Sequence, residues 1–277
     1  MRLAAIAALT AFIAVPAMAG WEDDECRFTA AKHAATPATG VTKVVIHAES
    51  GSLTVTGATG GSQIVANGAA CTSDEDFLPR MTLTMRKVGS ELHIDAGIPD
   101  KSIIFGFFSA RLDFAVELPA GLPVTIDDDS GWMKVSNTGP TVIDDDSGAI
   151  EVRNVRGPLV IHDDSGAIEV DTVAGNVTIE DDSGEIDVKN VTGSVEIEDD
   201  SGSITVARVE GSLRIRDDDS GSITAQNIRR DVLIDNDGSG AVEVADVGGN
   251  FTIARKEGSG HVDYVRVAGK VSVPERD

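Results

Sequence analysis

A Ser-Gly pair recurs at nearly constant spacing through the second half of the chain. Eight pairs begin at Ser130, Ser147, Ser165, Ser183, Ser201, Ser220, Ser239 and Ser259, and successive pairs are 17 to 20 residues apart. A period near 18 that is held over eight copies is typical of a repeat architecture, in which each copy is one structural unit stacked on the next. The chain is therefore interpreted first as a stack of coils.

Each copy follows the consensus S-G-x-I-x-V-x-x-V-x-G-x-V-x-I-x-D-D. In the copy that begins at Ser165, apolar residues alternate with polar ones at 168–170 and again at 177–179. Such alternation predicts two short strands, each with one buried face. The sequence thus predicts an all-β fold: a single-stranded parallel β-helix, or β-solenoid, of about 18 residues and two main strands per coil.

Stacking the coils places equivalent residues about 4.8 Å apart. We expect one core column of Ile150, Ile168, Ile186, Ile204, Ile223, Val242 and Val262. The next column contains Val152, Val170, Val188, Val206, Ala225, Val244 and Tyr264. A core filled mainly by these β-branched aliphatic side chains is narrow.

The region before the repeats is rich in strand patterns but irregular. Strand candidates are Thr42 to Ala48, Ser52 to Thr56, Gln63 to Asn67, Met81 to Val88, Glu91 to Asp95 and Leu112 to Leu118. We interpret 41–121 as an irregular β cap with the first coils, 20–40 as a linker or N-terminal arm, and 122–277 as the regular solenoid. The apolar segment Ile103 to Phe108 is expected to plug this cap, with an exposed contact tip as the alternative.

The first 19 residues have the pattern of a secretory signal peptide. Arg2 is followed by an apolar run from Leu3 to Val15 and by the small-residue box Ala17-Met18-Ala19. This order predicts cleavage after Ala19 and a periplasmic, secreted or cell-surface protein. An oxidising compartment favours a disulfide between Cys26 and Cys71, with two buried free thiols as the alternative.

The mature chain is strongly acidic. Without Arg2 it carries 22 Lys and Arg against 46 Asp and Glu, a net charge of −24. Such a surface repels phosphate backbones and anionic headgroups, which argues against nucleic acid and against direct binding to anionic membranes. The oligomeric state is not determined by the sequence.

Acidic residues precede the Ser-Gly pair in each regular coil. The candidate site residues are Asp128, Asp129, Asp145, Asp146, Asp163, Asp164, Asp181, Asp182, Asp199, Asp200, Asp218 and Asp219. At about 4.8 Å, stacked carboxylates repel by roughly 0.9 kcal/mol per pair even in water. Hydrogen bonds to turn amides, raised pKa values or bound cations can offset this repulsion.

Two interpretations of these acids remain open. In the favoured one, the second Asp of each pair caps the corner by accepting hydrogen bonds from backbone N–H groups, while its neighbour faces solvent. In the other, the stacked acids form a ladder of Ca²⁺ sites, because hard oxygen ligands suit that ion. The chain lacks the G-G-x-G-x-D signature of Ca²⁺-binding β-rolls. No other cofactor is expected.

Several stretches resemble a known family. They are E-S-G-S-L-T-V-T-G at Glu49 to Gly57, V-E-L-P at Val116 to Pro119, and the D-D-S-G-x-I-x-V coils that follow. Together with the signal peptide they resemble the bacterial putative-adhesin family of domains of unknown function, over nearly all of the mature chain from about Val41. The resemblance implies a right-handed β-helix with a cell-envelope role and no catalytic residues.

The sequence therefore favours a non-enzymatic adhesin, scaffold or envelope-interaction module whose partner is a protein or a glycan at the cell envelope. Long stacked faces suit partner binding, and no reactive constellation is visible in the sequence. The first alternative is a Ca²⁺-stabilised, β-roll-like secreted module. A lesser alternative is a polysaccharide-active β-helix enzyme, but its active site should interrupt the repeat, whereas the aspartates repeat uniformly.

Overall fold

The computed structural model describes residues 26–99 and 108–274. The predicted signal peptide and residues 103–107 of the apolar segment lie outside the described residues. Over the described part the chain forms 22 strands in one continuous hydrogen-bonded sheet.

The first nine strands belong to the irregular region and the first coils. They are β1 Phe28–Pro37, β2 Lys43–Ser50, β3 Leu53–Ala58, β4 Gln63–Thr72, β5 Thr82–Val88, β6 Glu91–Gly97, β7 Ala110–Pro119, β8 Val124–Ser130 and β9 Met133–Ser136. A 3₁₀ turn, Glu75–Arg80, separates β4 from β5. All six strand candidates in this region are confirmed, with ends shifted by up to five residues.

The remaining strands belong to the regular coils. They are β10 Thr141–Asp145, β11 Ile150–Val155, β12 Leu159–Asp163, β13 Ile168–Val173, β14 Val177–Val191, β15 Val195–Val209, β16 Leu213–Ser220, β17 Ile223–Ile228, β18 Val232–Asp237, β19 Val242–Val247, β20 Phe251–Lys256, β21 Val262–Val267 and β22 Val271–Ser272.

The regular strands stack in parallel as two ladders, so the predicted β-solenoid is confirmed. One ladder runs through β8, β10, β12 and the first halves of β14 and β15 to β16, β18, β20 and β22. The other runs through β9, β11, β13 and the second halves of β14 and β15 to β17, β19 and β21.

Both predicted core columns are in register. Ile150 pairs with Ile168, and the column continues to Val262 without a slip. Its members are buried up to Val242, whereas Tyr264 at the end of the second column is 53 % exposed. The terminal coil therefore leaves part of its apolar surface open.

The first coils do not stack in chain order. Strand β2 lies between β6 and β8, and β3 lies between β7 and β9. The coil made by β2 and β3 is therefore inserted between a later coil and the regular repeats. The connection from β7 to β8 must pass this inserted coil, and Gly121 N donates to Asn137 O there at 3.0 Å.

Antiparallel strands close the N-terminal end of the solenoid. Strand β4 pairs with β7, β1 pairs with β4, and β5 pairs with β6, all antiparallel. Strand β1 falls within the segment predicted as a linker or arm, and it was not among the strand candidates. The predicted disulfide between Cys26 and Cys71 is present, and it links the residues just before β1 to β4.

Two aromatic side chains pack together beside this cap. Phe77, in the 3₁₀ turn, is buried and contacts Phe108 edge to face, with ring centroids 4.7 Å apart.

Within 26–99 and 108–274, no helix is long and apolar enough to cross a membrane.

The glycine of each Ser-Gly pair allows successive coils to approach at the corner. Gly202 has a φ of +150°, and a Cβ built there would lie 1.6 Å from the carbonyl oxygen of Gly184 in the preceding coil. Only glycine tolerates both the left-handed conformation and this backbone contact. The repeated glycine is therefore explained by close stacking of the corners.

Candidate functional site

The twelve candidate aspartates fall into two sets of six. One set points into the core and is at most 4 % exposed: Asp128, Asp145, Asp163, Asp181, Asp199 and Asp218. The other set is exposed: Asp129, Asp146, Asp164, Asp182, Asp200 and Asp219. We call the second set the outer acids.

Strand alternation explains why half of these carboxyls are buried. Successive side chains of a strand point to opposite faces, so an Asp two residues after an inward Ile must also point inward. Asp181 follows the buried Ile179 in this way. A register shift opposite Ile197 and Glu198 absorbs one extra residue of β16 and keeps Asp218 paired with Asp199.

The buried carboxyls form one column along the solenoid. Each pairs in register with the next, from Asp128 in β8 to Asp218 in β16. The fully buried Asp237 in β18 continues this arrangement, although the sequence-based candidates did not include it. We call these seven residues the aspartate column.

Neither end of the column adds another carboxyl. At the N-terminal end Asp128 is in register with Ala48 of β2. At the C-terminal end Asp237 is in register with Lys256 of β20, whose side chain is 8 % exposed and whose Nζ donates to Asp237 Oδ2. The column therefore ends on a methyl group at one side and on a buried ammonium at the other.

Backbone amides satisfy only some of the column oxygens. Ser165 N donates to Asp163 Oδ1 at 3.3 Å, Ser183 N to Asp181 Oδ1 at 3.3 Å, and Ser201 N to Asp199 Oδ1 at 3.2 Å. These bonds are Asx-type turn contacts. The prediction that the second Asp of the pair caps the corner is wrong in these coils, because alternation turns the first Asp inward.

The serine hydroxyls hold neighbouring corners together. Ser165 Oγ donates to the carbonyl of Asp146 at 3.4 Å, and Ser183 Oγ donates to the carbonyl of Asp164 at the same distance. Ser201 Oγ makes the equivalent bond to Asp182 at 3.3 Å. The serine of the Ser-Gly pair thus links each of these three coils to the preceding one.

Many column oxygens have no hydrogen-bond partner in the described part of the chain. Both carboxyl oxygens of Asp128, Asp145 and Asp218 are unpartnered. One oxygen each of Asp163, Asp181, Asp199 and Asp237 is also unpartnered. A buried carboxylate without partners is costly, so the column requires neutralisation of its charge.

Burial raises the pKa of six column carboxyls, those from Asp128 to Asp218. Desolvation is the main cause, and for most of them the neighbouring carboxylates add to it. The pKa is about 7 for Asp128, Asp145, Asp181 and Asp218. It is about 6 for Asp163 and Asp199, where desolvation is opposed by the Ser165 and Ser201 amides.

The described residues contain no cluster of three or more His, Cys, Asp or Glu side chains arranged to hold a metal ion. On the outer face of the second ladder, acids and bases pair instead. Arg153 contacts both Glu151 and Glu169, at 2.5 and 3.1 Å, and Lys189 Nζ lies 3.1 Å from Glu169 Oε1. This face is a salt-bridged surface.

A second polar ladder lies at another corner of the coil. The residue seven positions after each Ser-Gly serine has a positive φ of 56° to 67°. These residues are Asn137, Asn154, Thr172, Asn190, Arg208, Asn227, Asp246 and Arg266. Asparagine tolerates this left-handed conformation better than most residues, which accounts for four of the eight.

A shallow groove of about 930 Å³ runs along this corner. Its polar lining residues are Thr172, Asn190, Thr192, Arg208, Glu210, Asn227, Arg229 and Asp246. We call it the polar groove. Arg208 Nε donates to Asn190 Oδ1 at 2.6 Å, whereas Arg229 pairs with Glu210.

Comparison with known proteins gives structural likenesses only. No family model matches the chain, and no curated protein has a significant sequence match. A "putative adhesin" from Bacteroides fragilis is 11% identical, with a TM-score of 0.41, covering 88% of this chain and 96% of that one. A "putative adhesin" from Parabacteroides distasonis is 13% identical, with a TM-score of 0.35, covering 85% and 97%.

Two further solved structures widen the range of descriptions. A "putative cell adhesion protein" from Clostridium sporogenes is 13% identical, with a TM-score of 0.29, covering 89% of this chain and 100% of that one. A "putative lipid binding protein" from Parabacteroides distasonis is also 13% identical, with a TM-score of 0.33, covering 88% and 97%.

Proposed function

We propose that this protein is an exported adhesin or scaffold of the cell envelope that binds a glycan in the polar groove. The polar groove is the observation that carries the proposal. The signal-peptide pattern and the disulfide support export to an oxidising compartment. The protein acts by binding and not by catalysis.

The lining of the groove suits a polyhydroxylated ligand. Amide groups of Asn190 and Asn227 offer both donors and acceptors, and the guanidinium groups of Arg208 and Arg229 offer several donors each. Carboxylates of Glu210 and Asp246 add acceptors. Sugar hydroxyls donate and accept hydrogen bonds, so they match such a mixed lining.

The shape of the groove suits a polymer. Its lining residues come from successive coils along the solenoid axis, and the groove is open to solvent. An extended glycan chain can therefore contact several coils at once, each offering polar groups. Repetition of weak contacts along one chain raises the overall affinity.

Arg208 is the side chain through which the proposal is tested. Among the described residues no carboxylate forms an ion pair with it, so its remaining donors are available to a ligand. Arg214, on the outer face of the other ladder, pairs with Asp235 at 2.7 Å and serves as the control. Both side chains are exposed arginines of the coil that begins at Ser201.

The experiment measures binding of peptidoglycan fragments and lipopolysaccharide O-chains by calorimetry. One of these glycans should bind the wild type, and Arg208→Ala should weaken that binding about tenfold, as expected for loss of one charged hydrogen bond. Arg214→Ala should leave it unchanged. Binding that survives Arg208→Ala, or no glycan binding at all, would contradict the proposal.

A further inference from the structure

The aspartate column places seven carboxyl groups in a setting that does not tolerate seven negative charges. All seven are at most 4 % exposed, and neighbouring coils bring them about 4.8 Å apart. The rest of the buried core is largely apolar and includes Ile168, Ile186 and Ile204. Unscreened repulsion between like charges is strong in such surroundings.

Fixed positive charge neutralises only one end of this column. Lys256 occupies the register position after Asp237 and donates to that carboxyl. The other six carboxyls have no buried base in contact with them among the described residues, and each has at least one unpartnered oxygen. Their neutralisation must come from a ligand.

A proton fits this position better than a metal ion. A protonated carboxyl can donate a hydrogen bond. One proton between two stacked carboxyls therefore lets the first carboxyl donate to an unpartnered oxygen of the second. Calcium takes six to eight oxygen ligands. Two stacked carboxyls supply at most four, and the apolar residues beside them supply none.

We propose that the aspartate column is a proton-binding site, in which the carboxyls from Asp128 to Asp218 hold protons that neighbouring coils share. The site runs along the interior of the solenoid and takes its ligand from the surrounding water. It is independent of the polar groove and of any glycan.

The direction of the pKa shifts agrees with this assignment. The pKa of Asp145 and that of Asp181 are raised from 3.8 to about 7, first by desolvation and then by neighbouring carboxylates. A raised pKa in the folded state means that the folded chain holds protons that the unfolded chain releases. The resulting stabilisation is complete below about pH 4 and is lost as pH rises through 6 to 7.

Most of the charged groups around the column are acidic side chains. The outer acids lie beside it on the same strands and corners, with Asp129, Asp146, Asp164, Asp182, Asp200 and Asp219 each adjacent in sequence to a column member. His162 and Glu180 lie on the outer face, one residue from Asp163 and Asp181, and Glu185 is exposed across the corner. The outer face also carries Asp127, Asp144, Glu198, Arg216, Asp217 and Asp235 on the same strands. Lys256 is the buried base.

The test compares one buried and one exposed aspartate of the same corner. Asp181→Asn keeps the shape of the side chain, removes its charge and supplies N–H donors to the carboxyls of Asp163 and Asp199. Asp182→Asn makes the same change in net charge at an exposed position. Thermal unfolding of the purified oxidised protein is followed at about pH 5 and pH 8, each with EDTA and with Ca²⁺.

In EDTA the wild-type midpoint should rise by about 5 °C or more from pH 8 to pH 5. Asp181→Asn should raise the midpoint at pH 8 by about 3 °C and flatten the pH dependence, because it replaces a bound proton permanently. Asp182→Asn should leave the slope close to that of the wild type.

Three results would overturn the proposal. The first is a wild-type midpoint that does not rise toward pH 5. The second is a pH dependence that Asp182→Asn flattens as much as Asp181→Asn does. The third is a Ca²⁺-dependent rise at pH 8 that Asp181→Asn abolishes while lowering the midpoint in Ca²⁺, since that result assigns the column to a cation. The proposed adhesin role can be wrong without changing any of these results.

Discussion

Among single residues, Lys256 determines how the aspartate column ends. Its ammonium group is almost completely buried and donates to the fully buried carboxyl of Asp237. Unlike the outer salt bridges, this pair is shielded from water, so loss of either partner leaves a buried charge without compensation. The exposed Arg255 beside it lies 3.7 Å from the exposed Glu257.

Lys256→Met should therefore destabilise the protein. Removing one partner of a buried ion pair costs about 3–5 kcal/mol, because the carboxylate of Asp237 is then buried without its ammonium partner. Urea unfolding at pH 8 measures the loss, with Arg255→Met as the matched control.

If Lys256→Met is no more destabilising than Arg255→Met at pH 8, the ion pair between Lys256 and Asp237 does not stabilise the end of the column.

Among the elements, the Ser-Gly corner sets how closely the coils stack. Its glycine lies against the backbone of the preceding coil, and its serine donates to a carbonyl of that coil. In β14 and β15 the corner is so regular that ladder pairing continues across it, with Ser183 opposite Ser201. The corner is thus part of the ladder.

Gly202→Ala should be strongly destabilising, by about 3 kcal/mol or more, because it adds strain at a special backbone conformation to a clash. The added Cβ would lie 1.6 Å from the Gly184 carbonyl oxygen. Gly61→Ala is the control, since the nearest atoms to a Cβ there are 3.8 Å away. Chemical denaturation of both variants makes the comparison.

A Gly202→Ala protein as stable as Gly61→Ala would show that the corners can separate without cost. Close stacking of the corners would then no longer explain why glycine recurs at this position in every coil.

At the scale of the whole molecule, the sequence repeat predicted the solenoid architecture. It did not predict the order in which the first coils stack. Period and alternation are local properties, and they determined the two ladders and the columns that begin at Ile150 and Val152. The insertion of β2 and β3 between later strands depends on hydrogen bonding between distant segments. No local pattern encodes that order.

The candidate site was predicted in part, and the missed part had a visible signal. The sequence identified the acidic corner, but it did not separate buried from exposed aspartates. Alternation from Ile179 to Asp181 carries that information, since both occupy the same face of one strand. The left-handed ladder of the polar groove had a weaker signal, an Asn recurring seven residues after the serine.

The central claim concerns a property of the entire solenoid, a chain of proton-sharing carboxyls in its core. The most direct measurement is a pH titration of the aspartate side-chain carboxyl ¹³C resonances in the folded protein. The account predicts that the six column carboxyls from Asp128 to Asp218 have a pKa near 6 to 7, raised from 3.8. Titration of these six carboxyls near 3.8 would contradict it.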